Sequence, residues 1–101
     1  MKMVFMSFFE GKADEVIELL ESENVKFYTK WDKMQGKSLG FKPRMGSHIW
    51  PGNNCAVVFP IEDERVEPLL EIINRFNEES EYEGISAFLF DIFSMVVKKA
   101  N

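Results

Sequence analysis

Hydrophobic and polar residues alternate along this chain with two different periods. Short runs rich in Phe, Val and Ile are typical of strands, whereas apolar residues three or four apart are typical of helices. The pattern predicts strands at 2–9, 25–34, 54–61 and 85–93, and helices at 13–23 and from 63 or 64 to 79. Pro68 lies deeper than the preferred first helical position, so the second helix either begins near Val66 or has a loose first turn.

The order of these elements, β-α-β-loop-β-α-β, predicts the fold class. Two β-α-β halves around one antiparallel sheet make the ferredoxin-like α+β arrangement, βαββαβ, with both helices on one face. A chain of 101 residues has room for one hydrophobic core. We therefore predict a single domain over residues 1–101, with a tail at 94–101 that is a short strand or a partly ordered end.

The first and last predicted strands are apolar on both faces. In the last strand Phe88 and Phe90 point one way while Ala87 and Leu89 point the other, and residues 2–9 repeat this two-sided pattern. A sheet with one face in water alternates apolar and polar residues instead. We therefore expect the face without helices to be buried against another subunit.

A long loop is predicted at about residues 35–53, where four of the six glycines lie and neither period continues. Loops of this length in compact domains are usually functional or disordered. The charge also inverts here: residues 33–61 contain no Asp or Glu and carry a net charge of +4, while the other residues carry −9. A cationic segment on an acidic body indicates contact with an anionic ligand or partner. The alternative is a solvated loop that lacks acids by chance.

Overall charge and composition exclude several other classes of function. The net charge of −5 would repel duplex DNA, so no nucleic-acid partner is predicted. Cys55 is the only cysteine, which rules out an intrachain disulfide and suits the cytoplasm. No apolar stretch approaches the roughly 20 residues that span a bilayer, so membrane insertion is not predicted.

Gly36 and Lys37 end the second predicted strand and open the loop. A glycine there lets backbone N–H groups approach an oxyanion, and the lysine ammonium adds charge. A simple strand-ending turn explains the same two residues equally well. Lys42 and Arg44 lie farther along the loop, where we expect them to close over a ligand or to meet an acidic partner.

Two further residues of the loop are candidates for ligand contact. Trp50 either stacks on a ligand or packs the loop against the body, and packing is the commoner use of a large aromatic ring. His48 is the only histidine, and a hydrogen-bonded ring is commoner than a catalytic or metal-binding one. No Ser/His/Asp or Cys/His arrangement is legible, since one histidine would have to serve every such scheme, and we predict that the protein is not an enzyme; a small ferredoxin-like enzyme is a third interpretation.

Met45, His48 and Cys55 form an alternative set of soft-metal ligands. Thioether, imidazole and thiolate together suit copper. Their spacing matches no standard motif, however, and a cysteine at the head of a strand usually serves as a small hydrophobic residue.

The residues also resemble a known family. The element order, the long second loop and the runs YTKWDKMQGK at 28–37 and HIWPG at 48–52 resemble the PII nitrogen-regulatory proteins and their PII-like relatives. The resemblance implies a homotrimer of ferredoxin-like subunits, a ligand cleft between neighbouring subunits, and a flexible loop that contacts partner proteins. By this likeness Thr29, Gly36 and Lys37 fall near the cleft.

The chain departs from the family at two points. Members that bind ATP carry Gly-Asp-Gly-Lys before the last strand, whereas this chain has EYEG at 81–84, whose acids would repel a triphosphate. The loop also has no tyrosine to accept a uridylyl group. We therefore predict a regulator that binds a small anion or nucleotide and signals through its loop. A second resemblance, to CutA-like trimers of similar fold, supplies copper binding as the alternative.

Overall fold

The chain folds into one four-stranded sheet and two helices. The structure, a computed structural model, describes residues 1–49 and 51–100. Its elements in chain order are β1 (Lys2–Phe9), α1 (Ala13–Ser22), β2 (Thr29–Met34), β3 (Asn54–Ile61), α2 (Val66–Glu79) and β4 (Ile85–Asp91). A short 3-10 turn precedes each helix. Trp50, a candidate ligand contact in the sequence, lies outside the described residues.

The strands lie in the order β2-β3-β1-β4, and each neighbouring pair is antiparallel. This is the ferredoxin-like βαββαβ arrangement, so the predicted fold class is confirmed. Both helices cover the same face of the sheet, because the buried residues of α1 and α2 share one core cluster with alternate residues of β1. These residues are Val16, Leu20, Leu69 and Ile73 on the helices, and Val4, Met6 and Phe8 on β1.

Two strands are shorter than predicted, for different reasons. β2 begins at Thr29 because the chain leaves α1 through Asn24, whose φ is +64°, and then buries Val25 against the core instead of pairing it in the sheet. β4 ends at Asp91 because the first residue of its one neighbour, Lys2 of β1, lies opposite Asp91. Beyond that point the Ile92 N–H donates one more hydrogen bond, to Met1 O at 3.2 Å. Residues 92–100 have no regular secondary structure.

The sequence predicted that the second helix either begins near Val66 or has a loose first turn, and in the structure α2 begins at Val66. A 3-10 turn over Asp63–Arg65 leads into the α-helix, which places Pro68 within its first turn. The first four N–H groups of a helix have no partner within it. The missing N–H of Pro68 therefore costs no helical hydrogen bond.

The face of the sheet opposite the helices, here called the open face, presents large apolar side chains to solvent. Trp31, Phe88 and Phe90 are each about half exposed on it. The residues that alternate with them on β4 point instead to the core, where Leu89 packs. The two-sided apolar pattern of the sequence thus corresponds to a packed face and a bare one. Among the described helices, none is both long and apolar enough to cross a bilayer.

Candidate functional site

The long loop is divided by short-range backbone pairing. Gly36 N–H donates to Arg44 O at 2.7 Å, and Arg44 N–H donates to Gly36 O at 2.6 Å. This isolated pair closes the residues between them into what we call the hairpin segment, residues 37–43. Farther along, Gly46 N–H donates to Gly52 O at 2.9 Å, with both glycines at positive φ. Glycine adopts positive φ at no steric cost, which explains three of the four loop glycines, since Gly40 also has a positive φ.

Arg44, which directly follows the hairpin segment, binds the loop to the body of the protein. Its Nε and Nη2 atoms each lie 2.9 Å from Oε2 of Glu83, just before β4. Its guanidinium carbon lies 3.7 Å from the centre of the Phe9 ring at the end of β1. Glu83 is only 6 % exposed, so this carboxylate depends on the arginine for its charge compensation. Arg44 is therefore a paired anchor and not the free cation that its place in the loop indicates.

Two clefts border the loop. The first, which we call the sheet cleft, has a volume of about 360 Å³ and lies where the start of the loop passes over the open face. Its polar side chains are those of Ser7, Gln35, Lys37, Ser38, Asn54 and Ser86, and the backbone of Gly36 lies beside them. The second, which we call the loop cleft, has a volume of about 430 Å³. It lies between the loop residues 41–44, 49 and 51 and the turn that carries Tyr82 and Glu83.

Asn54 is the most informative residue of the sheet cleft. It is 9 % exposed, and within the described residues its Oδ1 atom has no hydrogen-bond partner. Buried polar atoms nearly always have a partner, so an unpaired one marks a place for a water or a ligand group. A Cβ on Gly36 would lie 2.6 Å from Asn54 Nδ2, so any larger residue at position 36 would displace the Asn54 side chain.

Gly36 has a different role from the one expected of it. Its N–H is used by Arg44 O and is not available to a ligand, whereas the side-chain donors that line the sheet cleft include the Lys37 ammonium and the serine hydroxyls. Lys37 is exposed, and no ion pair among the described residues includes it or Lys42.

The other residues predicted for the site are dispersed. Lys42 and Arg44 line the loop cleft and not the sheet cleft. Thr29 begins β2, and a strand of this length puts about 17 Å between its ends. Thr29 therefore does not reach the Gly36 end within one subunit. His48 is exposed and lines neither cleft.

The soft-metal alternative has little geometric support. Cys55 is buried in β3, where its thiol donates to Asp32 Oδ1 at 3.6 Å and where burial raises the pKa of the thiol. Metals bind the thiolate, which this environment disfavours. In the part of the chain that the structure describes, no group of three or more His, Cys, Asp or Glu side chains is placed to hold a metal ion.

Sequence reasoning missed Glu83 and Asn54. Glu83 was interpreted only as a charge that repels phosphate, because its pairing with a cation 39 positions away leaves no local signal. Asn54 was interpreted only as the start of a strand. Its position beside Gly36 depends on the register of β2 against β3, which pairs Met34 with Asn54.

Comparisons with known proteins identify the fold. No protein-family sequence model matches the chain, and a comparison with curated protein sequences finds no match. Among solved structures, CPII from Thiomonas intermedia K12 bound to ADP and bicarbonate matches with a TM-score of 0.73 and 23 % identity, covering 90 % of this chain and 84 % of that one. The chain has the PII-like fold.

Two further structures support the same conclusion about the PII-like fold. CPII, a nitrogen regulatory PII-like protein, bound to ADP, AMP and bicarbonate matches with a TM-score of 0.71 and 22 % identity over 90 % of each chain. A candidate PII-like signaling protein from Thermus thermophilus matches with a TM-score of 0.60 and 19 % identity over 88 % of this chain and 83 % of that one. The resemblance seen in the sequence is thereby confirmed at the level of the fold.

Proposed function

We propose that this protein is a PII-like regulatory protein, and not an enzyme, that binds a small anionic ligand such as a nucleotide in the sheet cleft. The observation that carries the proposal is the unpaired Asn54 Oδ1, buried in a cleft that also holds the Lys37 ammonium. Similar structures of CPII hold ADP, AMP and bicarbonate, which are anions of suitable size.

The chemistry of the cleft suits such a ligand. The Lys37 ammonium supplies charge to phosphate oxygens, and Ser7, Ser38 and Ser86 supply hydroxyls that donate or accept. Asn54 Oδ1 accepts a hydrogen bond, as from an amino or hydroxyl group of the ligand. Apolar walls come from Phe5 and Phe88 of the open face. A volume of about 360 Å³ lies within the range of small-molecule sites.

A homotrimer completes the site in this proposal. The open face leaves Trp31, Phe88 and Phe90 about half exposed, and burying the exposed half of each ring would stabilise an assembly by roughly 1 kcal/mol, about half of what full burial gives. Since Thr29 lies at the far end of β2 from Gly36, a shared cleft needs Thr29 from a neighbouring subunit. In this proposal the ligand therefore lies between subunits.

The hairpin segment is the signalling element of the proposal. Leu39 is 99 % exposed at its tip, next to Gly40, and Phe41 is also exposed. Lys37 and Lys42 flank this apolar tip. An apolar anchor between two ammonium groups suits an acidic partner protein with a hydrophobic pocket. A ligand that contacts Lys37 and Ser38 would change the order of the same segment.

The proposal is tested by a thermal-shift screen of the purified protein with ADP, AMP, phosphate and sodium chloride, followed by calorimetry of each hit. We expect nucleotides to raise the melting temperature beyond the chloride control, and native mass spectrometry to give three subunits. No shift with any anion would overturn ligand binding, and a stable monomer at micromolar concentration would overturn the shared cleft.

A further inference from the structure

Strand β2 contains one residue more than its neighbour β3 over the stretch that borders the sheet cleft. Trp31 lies opposite Ala56 and Met34 lies opposite Asn54, so three steps along β2 match two steps along β3. An extra residue of this kind forms a β-bulge, which bends the strand and changes the direction in which the following side chains point. The bulge of β2 therefore lies between Trp31 and Met34, where the strand approaches the cleft.

Lys33 has the backbone conformation that accommodates the extra residue. Its φ is +55°, in the left-handed region. Among the described residues Asn24 is the other non-glycine residue with a positive φ, and it lies just beyond the end of α1, where this conformation is common. Within a strand such a conformation is unfavourable for a residue with a side chain, and it persists only where the surrounding structure requires it.

The residue before Lys33 is bound to β3. Asp32 Oδ1 accepts hydrogen bonds from the Cys55 thiol, at 3.6 Å, and from the Lys30 ammonium. β2 is an edge strand of the described sheet, with β3 as its neighbour there. The pairing of β2 beyond Asp32 can therefore change by rearranging a single ladder, while the pairing before it is held.

The bulge decides which residues of β2 lie beside Asn54. Because Met34 is opposite Asn54, Met34 and Gly36 share the face on which the Asn54 side chain lies. Without the bulge, in what we call the slipped register, Lys33 would lie opposite Asn54 and Gln35 would take the place of Gly36. A Cβ at that place would lie 2.6 Å from Asn54 Nδ2. The slipped register would thus displace the Asn54 side chain, and with it the unpaired acceptor of the cleft.

We propose that Lys33 is a positioning residue of the sheet cleft, whose left-handed conformation accommodates the extra residue of β2 and so keeps Gly36 beside Asn54. This inference rests on the proposed function, since it concerns the same cleft. Lys33 is exposed and does not line the cleft, so it acts through its backbone and not through its ammonium group. A ligand that donates to Asn54 Oδ1 should in turn favour the bulged register over the slipped one.

The test compares ADP binding by calorimetry in the wild type and three variants. Lys33→Val places a β-branched residue where φ is positive, which is strongly disfavoured, so ADP should bind about ten-fold more weakly or not at all. Lys33→Asn removes the same charge but tolerates the left-handed region, so its affinity should lie within about two-fold of the wild type. Deletion of Lys33 removes the extra residue and leaves Met34 opposite Asn54 in a regular strand, so it should bind as the wild type does.

Cross-strand nuclear Overhauser contacts give a measurement that needs no ligand. Met34 should contact Asn54 in the wild type, in Lys33→Asn and in the deletion variant, whereas residue 33 should contact Asn54 in Lys33→Val. ADP binding by Lys33→Val equal to that of Lys33→Asn, or a retained contact of Met34 with Asn54 in Lys33→Val, would overturn the proposal.

The deletion variant gives an answer even if Lys33→Val fails to fold. Loss of ADP binding in the deletion variant, or in Lys33→Asn, would show that the cleft needs the lysine itself and would overturn a role through the backbone. A wild type that binds no ADP would contradict the proposed function, whereas the contacts of Asn54 in the variants would still decide whether Lys33 sets the register.

Discussion

The side chain of Asn77 forms two hydrogen bonds with the backbone of Ile85, one to its C=O and one from its N–H, as the backbone of a neighbouring strand would. Asn77 Nδ2 donates to Ile85 O at 2.9 Å, and Ile85 N–H donates to Asn77 Oδ1 at 2.6 Å. The contact joins the end of α2 to the first residue of β4. It also explains Gly84, since a Cβ at that position would overlap the Asn77 carboxamide. One side chain thus fixes where the last strand enters the sheet.

Asn77→Ala should therefore destabilise the fold although it lies near the end of a helix. Both polar groups of Ile85 would lose their partner, at a cost of about 1–3 kcal/mol in the free energy of unfolding. Urea denaturation measures this. Asn74→Ala, at an exposed position of the same helix, is the matched control and should change stability by less than about 0.5 kcal/mol. Alanine has a higher helix propensity than asparagine, so propensity alone would stabilise both variants; an Asn77→Ala protein no less stable than Asn74→Ala would contradict the contribution of the contact with Ile85.

Phe90→Asp should impair assembly of the subunits, whereas Leu89→Asp should impair folding. Phe90 is 59 % exposed on the open face, so its replacement should yield a folded protein of lower subunit number. Leu89 packs against the core, so a carboxylate there should lower the melting temperature sharply or prevent folding. Light scattering and circular dichroism of the two variants distinguish these outcomes. A Phe90→Asp protein with the subunit number of the wild type would contradict an interface on the open face.

Lys37→Ala and Lys42→Ala should differ in their effect on nucleotide binding. Lys37 lines the sheet cleft, where a charge-assisted hydrogen bond is worth roughly 1.5–3 kcal/mol, so its loss should weaken ADP binding about ten-fold to a hundred-fold. Lys42 lines the other cleft and should matter little for ADP. Calorimetric titration with ADP measures both constants. Similar losses from the two changes would indicate a diffuse effect of loop charge instead of a defined site.

Stability at high pH should depend on Cys55. Burial raises the pKa of this thiol above its ordinary value of 9.0. Above pH 9 the unfolded chain releases a proton that the folded protein retains, so this group makes the folded state less stable as the pH rises; below that value it has no effect.

The comparison of wild type with Cys55→Ala isolates this contribution. Urea denaturation at pH 8 and at pH 10.5 should show a larger loss of stability for the wild type than for the variant. Parallel losses would mean that Cys55 titrates alike in both states. A thiol reagent should also react slowly with the folded wild type and rapidly in urea, since the buried thiol is protected.

The sequence alone determined the elements and their order. β1 and β3 were predicted with the bounds observed, because their apolar runs are bordered by glycine or by loop residues. The helices were predicted to within one residue at their C-terminal ends, because the period of their apolar residues is a local property. Once four strands and two helices alternate in this order, few packings bury all their apolar faces, so the ferredoxin-like fold followed.

The ends of β2 and β4 and the organisation of the loop were decided by the tertiary structure. β4 stops where its neighbour stops, and the pattern of β4 itself contains no sign of this. The loop is not one open segment, because Gly36 pairs with Arg44 and Arg44 pairs with the distant Glu83. The charge pattern of the sequence shows how many cations the loop has. Which of those cations are neutralised depends on how the loop, the end of β1 and the turn before β4 pack together. For that reason the sequence located a cationic loop, whereas the structure distinguished Arg44, which Glu83 neutralises, from Lys37 and Lys42, which form no ion pair among the described residues and line two different clefts.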